Sequence, residues 1–506
     1  MTLTSALDVA LSGLLVTSSR TSVVSRNIVN AGQSLASRKL ANVVTAPDGG
    51  VRLASITRAA DSALLAQMLA ANSAAGQQRS IVEALDRLDG TVLDPELDAS
   101  PAALIGKLMD AIQIYSAAPH DTVAAQSAIA AARDLTHALN SATETVQSLR
   151  QEADAEIAST VSRLNGLLAQ FETVNTAIVN GTRSGADITD HLDHRDRLLL
   201  AISEEVGIRT MMRSDNDMVI FTDSGVTLFE TKARAITFEP TLIYTASTTG
   251  HPVFADGVQI TGAAGGMVIS SGRLAGLVTI RDEIATTYQN QLDEIARGLI
   301  EAFAESDQSA SPTLPDAPGL FTYAGATSVP PSGTIMTGLA GMIIVNPSAD
   351  PAQGGDVTKL RDGGMNRPED ESLTGEDESL TGNEYVYNPD PDGLPGFSDR
   401  LQELIDRMAE QMGFNKAAQL GDKATLPGFA ASSIAWLQEA RSVANSEMHY
   451  RATLFERTSE ALSNATGVNL DHEMTLLLDL ERSYMATSRL ISVIDEMFRA
   501  LLAATR

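Results

Sequence analysis

The chain contains no cysteine. That excludes a disulfide framework, a thiolate zinc site and a cysteine nucleophile, and it suits a polypeptide that crosses an oxidising space unfolded. Aromatic residues are scarce: 4 % of the sequence, with a single tryptophan. Because 43 % of residues are still apolar, any core is aliphatic and alanine-rich, which favours helix packed on helix. Basic residues are outnumbered, 36 Lys and Arg against 64 Asp and Glu, for a net charge of −28. Nucleic acids and anionic membranes both call for a cationic face, so neither is an expected partner. No apolar run approaches the roughly 18 residues of a membrane span. MTLTSALDVALSGLLVTSSR lacks the basic start and continuous apolar core of a secretory leader.

Catalytic signatures are missing as well. GxGxxG, Walker A, GxSxG, HExxH and EF-hand patterns do not occur, and no catalytic residue, cofactor site or metal ligand is assigned. The nearest approach to a metal site is DHLDHRD, residues 190–196, where His191 and His194 fall three apart. No third ligand is dictated by spacing. The segment continues as RDRLLLAI, so Leu192, Leu198 and Leu199 carry burial and the charges read as a solvated face. Trp436 reads as a core anchor rather than a ligand platform.

What the sequence does hold is helical periodicity. The 506 residues allow two to four domains at about 150 residues each. At the N-terminus Leu3, Leu7, Ala10, Leu14, Thr17, Thr21, Val24 and Ile28 step alternately by four and three, a seam at heptad spacing. Near the other end Leu470, Leu477, Tyr484, Ile491 and Phe498 recur every seven, with Met474 on a partner position and Leu480, Ile494 and Leu501 on the adjacent row. Asn469 is placed to cap that helix. On spacing alone, burial in an ordinary core and burial against other molecules fit equally. A third, longer pattern runs from Asp121 to Asn180-Gly181, enough for a rod of ~80 Å. Shorter helical patterns occupy 60–88, 101–117, 188–203, 274–305, 398–412 and 429–463. Residues 208–270 alternate apolar and polar with turns between, a small β meander. Residues 306–397 read mostly as loop, with a strand near GMIIVNP. The acidic tandem copy EDESLTG, at 369–375 and 376–382, lies inside them and reads as solvated.

The segment GVNLDHEMTLLLDLERSYMATSRLISVIDEMF resembles the C-terminal signature of flagellar axial proteins, through Gly467, Val468, Asn469, Leu470, Asp471, Glu473, Met474, Tyr484, Asp495, Glu496 and Met497. ALSGL at 10–14, Ser25, Asn27, Ile28 and Asn30 resemble the N-terminal one. Within that group, SGRLAGLVTIRDEI, YQNQLDEIA and DHLDHRDRLLLAISEEVGI are similar to the hook-associated protein 1 family, the hook–filament junction proteins. Leu35-Ala36 stand where relatives carry a Gly-Tyr turn.

The resemblance implies a mainly α, elongated, multi-layered helical rod with paired terminal coiled-coil helices and a small β insertion. The outer β domain that many relatives carry between the equivalents of Phe321 and Ile343 is expected to be missing. The expected units are a terminal assembly domain (1–60 plus 465–506), a helical rod domain (61–207, 271–305 and 398–464), the β insertion (208–270) and a loop-rich segment (306–397). Implied partners are other copies of the chain in an axial polymer, the hook protein, a second junction protein and an export chaperone on the C-terminal helix. The implied location is the extracellular flagellum, reached without a cleaved signal peptide. The expected assembly interface is Leu3, Leu7, Leu14, Val24, Asn27, Ile28, Asn30, Leu470, Met474, Leu477, Tyr484, Ile491 and Phe498. Another axial protein (hook, rod or second junction protein) and a wall-cutting hydrolase using two carboxylates are the alternatives.

Overall fold

A computed structural model describes residues 3–33, 35–47, 49–92, 99–366, 384–390 and 394–504. The acidic tandem copy lies outside these residues. The fold is mainly helical: α1 (Leu3–Asn30), α2 (Ser62–Val92), α3 (Pro101–Ala117), α4 (Thr122–Ser184), α5 (Thr189–Glu205), α6 (Arg273–Thr279), α7 (Ala285–Ala302), the single turn α8 (Lys359–Asp362), α9 (Asp399–Ala409), α10 (Leu426–Thr466) and α11 (Leu470–Ala504). A π-helical turn, Ile280–Ile284, joins α6 to α7.

The longest element, α4, has 63 residues, a cylinder of about 95 Å. Its start follows the sequence: the Asp121 carboxylate accepts from the Val123 and Ala124 amides, capping the first turn. Its end lies beyond Asn180-Gly181. The C-cap is Gly185, at φ 74°. Gly181 is needed for a different reason, since a Cβ there would stand 2.4 Å from Ile188 Cγ2.

Two apolar cores are threaded on α4. Ala128, Leu135, Leu139, Val146 and Leu149 belong to the first, with the second half of α2, α3, α7, α9 and α10. Ile157, Leu164, Leu168, Phe171 and Ile178 belong to the second, with α5, α6 and the β insertion. Between them the helix carries two buried ions, Arg150 and Asp154. Asp154 Oδ1 accepts from Arg281 Nη1 and from the Tyr244 hydroxyl, both at 2.7 Å. Arg150 Nε donates to the Arg281 carbonyl within the π turn at 3.1 Å. A π turn widens the helix and releases backbone groups; here one released carbonyl is taken by an arginine.

The β insertion comprises β3 (Ile208–Met212), β4 (Met218–Thr222), β5 (Thr227–Glu230) and β6 (Lys232–Ala233) in a four-stranded antiparallel sheet, then β7 (Ile236–Thr237), β8 (Phe254–Ala255) and β9 (Val258–Gln259) in a three-stranded one. Further along, β10 (Phe321–Tyr323) pairs antiparallel with β11 (Ile343–Val345), and β12 (Met412–Gly413) with β13 (Lys423–Ala424). Between β10 and β11 lies only a loop with one 3-10 turn, Leu339–Gly341. The backbone around it is irregular, yet Leu320, Phe321, Leu339, Ala340, Ile343 and Val345 enter the first core. The Asp293 carboxylate on α7 holds the loop by accepting from the Gly338 and Ala340 amides.

One hairpin has no counterpart in the sequence reading. Lys39–Thr45 pairs antiparallel with Val51–Arg58. These first two strands of the chain are β1 and β2.

Candidate assembly interface at the paired termini

Helices α1 and α11 pack side by side and antiparallel. Asn27 bonds Glu473, while at the other end a Cβ on Gly13 would lie 3.9 Å from Thr487 Cγ2. Each helix starts or folds as its sequence dictates. Asn469 Oδ1 accepts from the His472 amide at 3.0 Å, satisfying an open donor of the first turn of α11. On α1 the Thr17 and Thr21 hydroxyls donate to the carbonyls four residues back, so the polar members of its seam enter the pair without losing hydrogen bonds.

The pair buries little. On α1 the buried residues are Ala10, Val16, Thr17, Val23, Val24 and Asn27; on α11 they are Glu473, Leu480 and Ile494. Of the expected interface residues, Val24 and Asn27 lie inside the pair. Leu3, Leu7, Leu14, Ile28, Asn30, Leu477, Ile491 and Phe498 are half-buried. Leu470, Met474 and Tyr484 point outward, at 50 %, 48 % and 46 % exposure. The row turned toward α1 is Glu473, Leu480 and Ile494, one helical step from the heptad row singled out in the sequence. Leu478, Met485, Leu490, Val493, Met497 and Leu501 are exposed too, so α11 is apolar on more sides than one neighbour covers. A helix greasy around most of its circumference belongs in an interior. Each of these side chains contributes about 1.5–3 kcal/mol once fully buried.

Where the pair meets the rest of the molecule, a polar knot joins four chain segments. Asn27, 1 % exposed, donates through Nδ2 to Glu473 Oε2 at 3.0 Å and to the Lys39 carbonyl at 2.9 Å. Its Oδ1 accepts from the Lys39 amide at 2.9 Å. Arg38 Nε donates to Glu473 Oε1 at 2.7 Å, and the Arg38 amide donates to the Thr466 carbonyl at the end of α10. The knot continues into α5. Lys39 Nζ reaches Asp190 at 2.5 Å and Asp193 at 3.3 Å, and Arg58 reaches Asp193 at 2.9 Å and Asp196 at 2.7 Å.

This corrects the sequence reading of DHLDHRD. His191 and His194 are exposed, but Asp193, Arg195 and Asp196 are buried rather than solvated. The partners of Asp193 and Asp196 on the N-terminal hairpin are distant in sequence, and pairing with them makes burial affordable; Arg195 donates instead to Asn175 and to the Asn216 carbonyl. Burial brings the Arg195 guanidinium down to about 10 and pushes the Asp196 carboxyl up against the pull of Arg58. At Asp187 burial also pushes the carboxyl up, but bonds from Thr189 and Arg26 outweigh it and hold the group below its usual range.

Comparisons with known proteins converge with this geometry. The family model "Flagellar hook-associated protein FlgK helical domain" matches residues 85–312, and "Flagellar basal body rod FlgEFG protein C-terminal" matches residues 460–504. Flagellar hook-associated protein 1 of Salmonella typhimurium (strain LT2) is 23 % identical over 318 residues, 60 % of this chain and 56 % of that protein. The Escherichia coli (strain K12) protein of the same name is 22 % identical over 260 residues, 50 % of this chain and 46 % of its own length. The match thus spans about half the length of these relatives. In fold, the chain is similar to the flagellar hook junction protein FlgK from Burkholderia pseudomallei, with a TM-score of 0.55 at 14 % identity, over 78 % of this chain and 99 % of that one. The helical-domain match and the relatives make this chain similar to flagellar hook-associated protein 1, and its overall fold is shared with a hook junction protein.

Proposed function

We propose that the chain is a structural adaptor that joins the flagellar hook to the filament and polymerises through its terminal helices. The observation that carries this reading is the surplus apolar surface of α11: after α1 has packed against it, Leu470, Met474, Leu478, Met485, Leu490 and Val493 still face outward. Such surface is stabilised by neighbouring copies stacked along an axis. A heterologous contact repeated in this way builds an open helical lattice rather than a closed ring. The residues doing so are the half-buried and exposed ones among those expected from the sequence, extended by the outward residues of α11; Val24 and Asn27 hold the pair together instead. The role is structural, with no chemical step.

The partners in this reading are other copies, the hook protein on one side and a second junction protein on the other. Before export, a chaperone covering the same apolar face of α11 keeps the chain from aggregating. The chain works outside the cell, in the flagellum. A strain lacking the gene should build hooks and release flagellin into the medium. Normal filaments in that strain would refute the role.

One observation favours a second reading. The match at 460–504 is to a basal-body rod family, as a rod or hook subunit would give. Immunolabelling of a tagged chain separates the two: label at the hook–filament boundary supports the adaptor, label along the hook or within the basal body the alternative.

A further inference from the structure

The geometry points to Asn27 and Glu473 as the residues that set the register of α1 against α11. This inference stands independently of which segment of the flagellum the chain occupies.

Apolar packing alone does not select one register. Facing α11, α1 repeats Ala10, Thr17 and Val24 at intervals of seven; facing α1, α11 repeats Leu480, Thr487 and Ile494 at the same interval. Sliding one helix by a heptad, about 10.5 Å, sets small and aliphatic side chains opposite similar ones again. Sequences with regular heptads are degenerate in this way unless a buried polar residue breaks the symmetry.

Asn27 and Glu473 do so. Both are 1 % exposed and both are satisfied only by each other and by fixed neighbours. The Asn27 amide is matched at Oδ1 by the Lys39 amide and at Nδ2 by the Lys39 carbonyl and Glu473. Glu473 is matched by Asn27 and by Arg38, which is itself anchored to the end of α10. A slip of one heptad moves Asn27 to face Leu480, or moves Glu473 to face Arg20. Either separates the buried Asn27 carboxamide from the Glu473 carboxylate and leaves a buried polar group without its native partner, which is disfavoured. The native register therefore decides at what height above the body of the molecule the outward α11 side chains lie.

Because the chain has no cysteine, introduced pairs read register directly. Gly13→Cys with Thr487→Cys reports the native register, their side chains being within disulfide reach. Ala6→Cys or Arg20→Cys, each with Thr487→Cys, reports a one-heptad slip in either direction. In the otherwise unchanged full-length chain the 13–487 disulfide should outnumber the other two by about tenfold or more. Adding Asn27→Leu and Glu473→Leu should keep the helical circular dichroism but bring the three yields within about threefold of one another. If that double variant fails to fold, Asn27→Asp, which removes both Nδ2 bonds and adds a second carboxylate beside Glu473, should flatten the preference in the same way. A preference for 13–487 that survives these substitutions, or its absence from the unchanged background, overturns the assignment.

Discussion

Thr231 links β5 to β6 at φ 63°, a left-handed conformation that a β-branched residue adopts only under strain. Its side chain is exposed, so little packing is lost on removal. Thr231→Gly should raise stability by about 0.5–1 kcal/mol, the relief of strain less the extra freedom of glycine in the unfolded chain; urea unfolding followed by circular dichroism checks it. Leu35, at φ 58°, also holds a left-handed conformation. Asp293 gives a pH dependence. Burial lifts its carboxyl to about 6, against the opposing bonds from Ala340 and Gly338. The folded state thus holds a proton that the unfolded chain has already lost between pH ~4 and ~6. Its contribution is full below the unfolded value and disappears as pH rises through the folded one, on the order of 3 kcal/mol across the window. Asp293→Asn should remove this part of the slope of unfolding free energy against pH, while costing stability at every pH through the loss of an acceptor for a loop amide.

At the scale of elements, two glycines bring helices into backbone contact. A Cβ on Gly276 of α6 would lie 2.6 Å from the Gln77 carbonyl of α2, and one on Gly76 of α2 would lie 2.7 Å from the Glu204 carbonyl of α5. Gly276→Ala should therefore force α6 away and cost about 1–3 kcal/mol, measurable as a lower urea midpoint at unchanged m-value. At the π turn, Arg281→Leu strands the buried Asp154 carboxylate with only Tyr244 and the Thr241 amide as partners. A loss of about 3–5 kcal/mol follows, with the loop around Tyr244 becoming sensitive to protease. The helices were largely legible in the sequence, because each long one buries a continuous face and so keeps the 3.6-residue period. The N-terminal hairpin was not: its first strand is almost wholly exposed, and in the second the alternation changes phase between Ala54 and Ser55. Asp193 and Asp196 were misread for a related reason. Burial of a carboxylate depends on its cation, and Lys39 and Arg58 lie more than a hundred residues upstream. At the interface, the apolar character of α11 was visible, whereas the row facing α1 depended on a rotation that Glu473 decides.

On the scale of the whole molecule, among the described residues neither core includes a side chain of α1 or α11. A chain cut to residues 36–466, which keeps the hairpin whose Lys39 and Arg58 pair with Asp193 and Asp196, should accordingly keep a cooperative unfolding transition close to that of the full chain and, in the proposed role, lose polymerisation. If its transition collapses, the terminal helices stabilise the body as well as the lattice. Within that body α4 is a single uninterrupted hydrogen-bonded cylinder that enters both cores. Tension or torque applied at one of them reaches the other through a stiff strut with no hinge in between, so the two halves are coupled mechanically as one lever. In the axial polymer proposed above, load passed from one neighbour would be carried along α4 to the next.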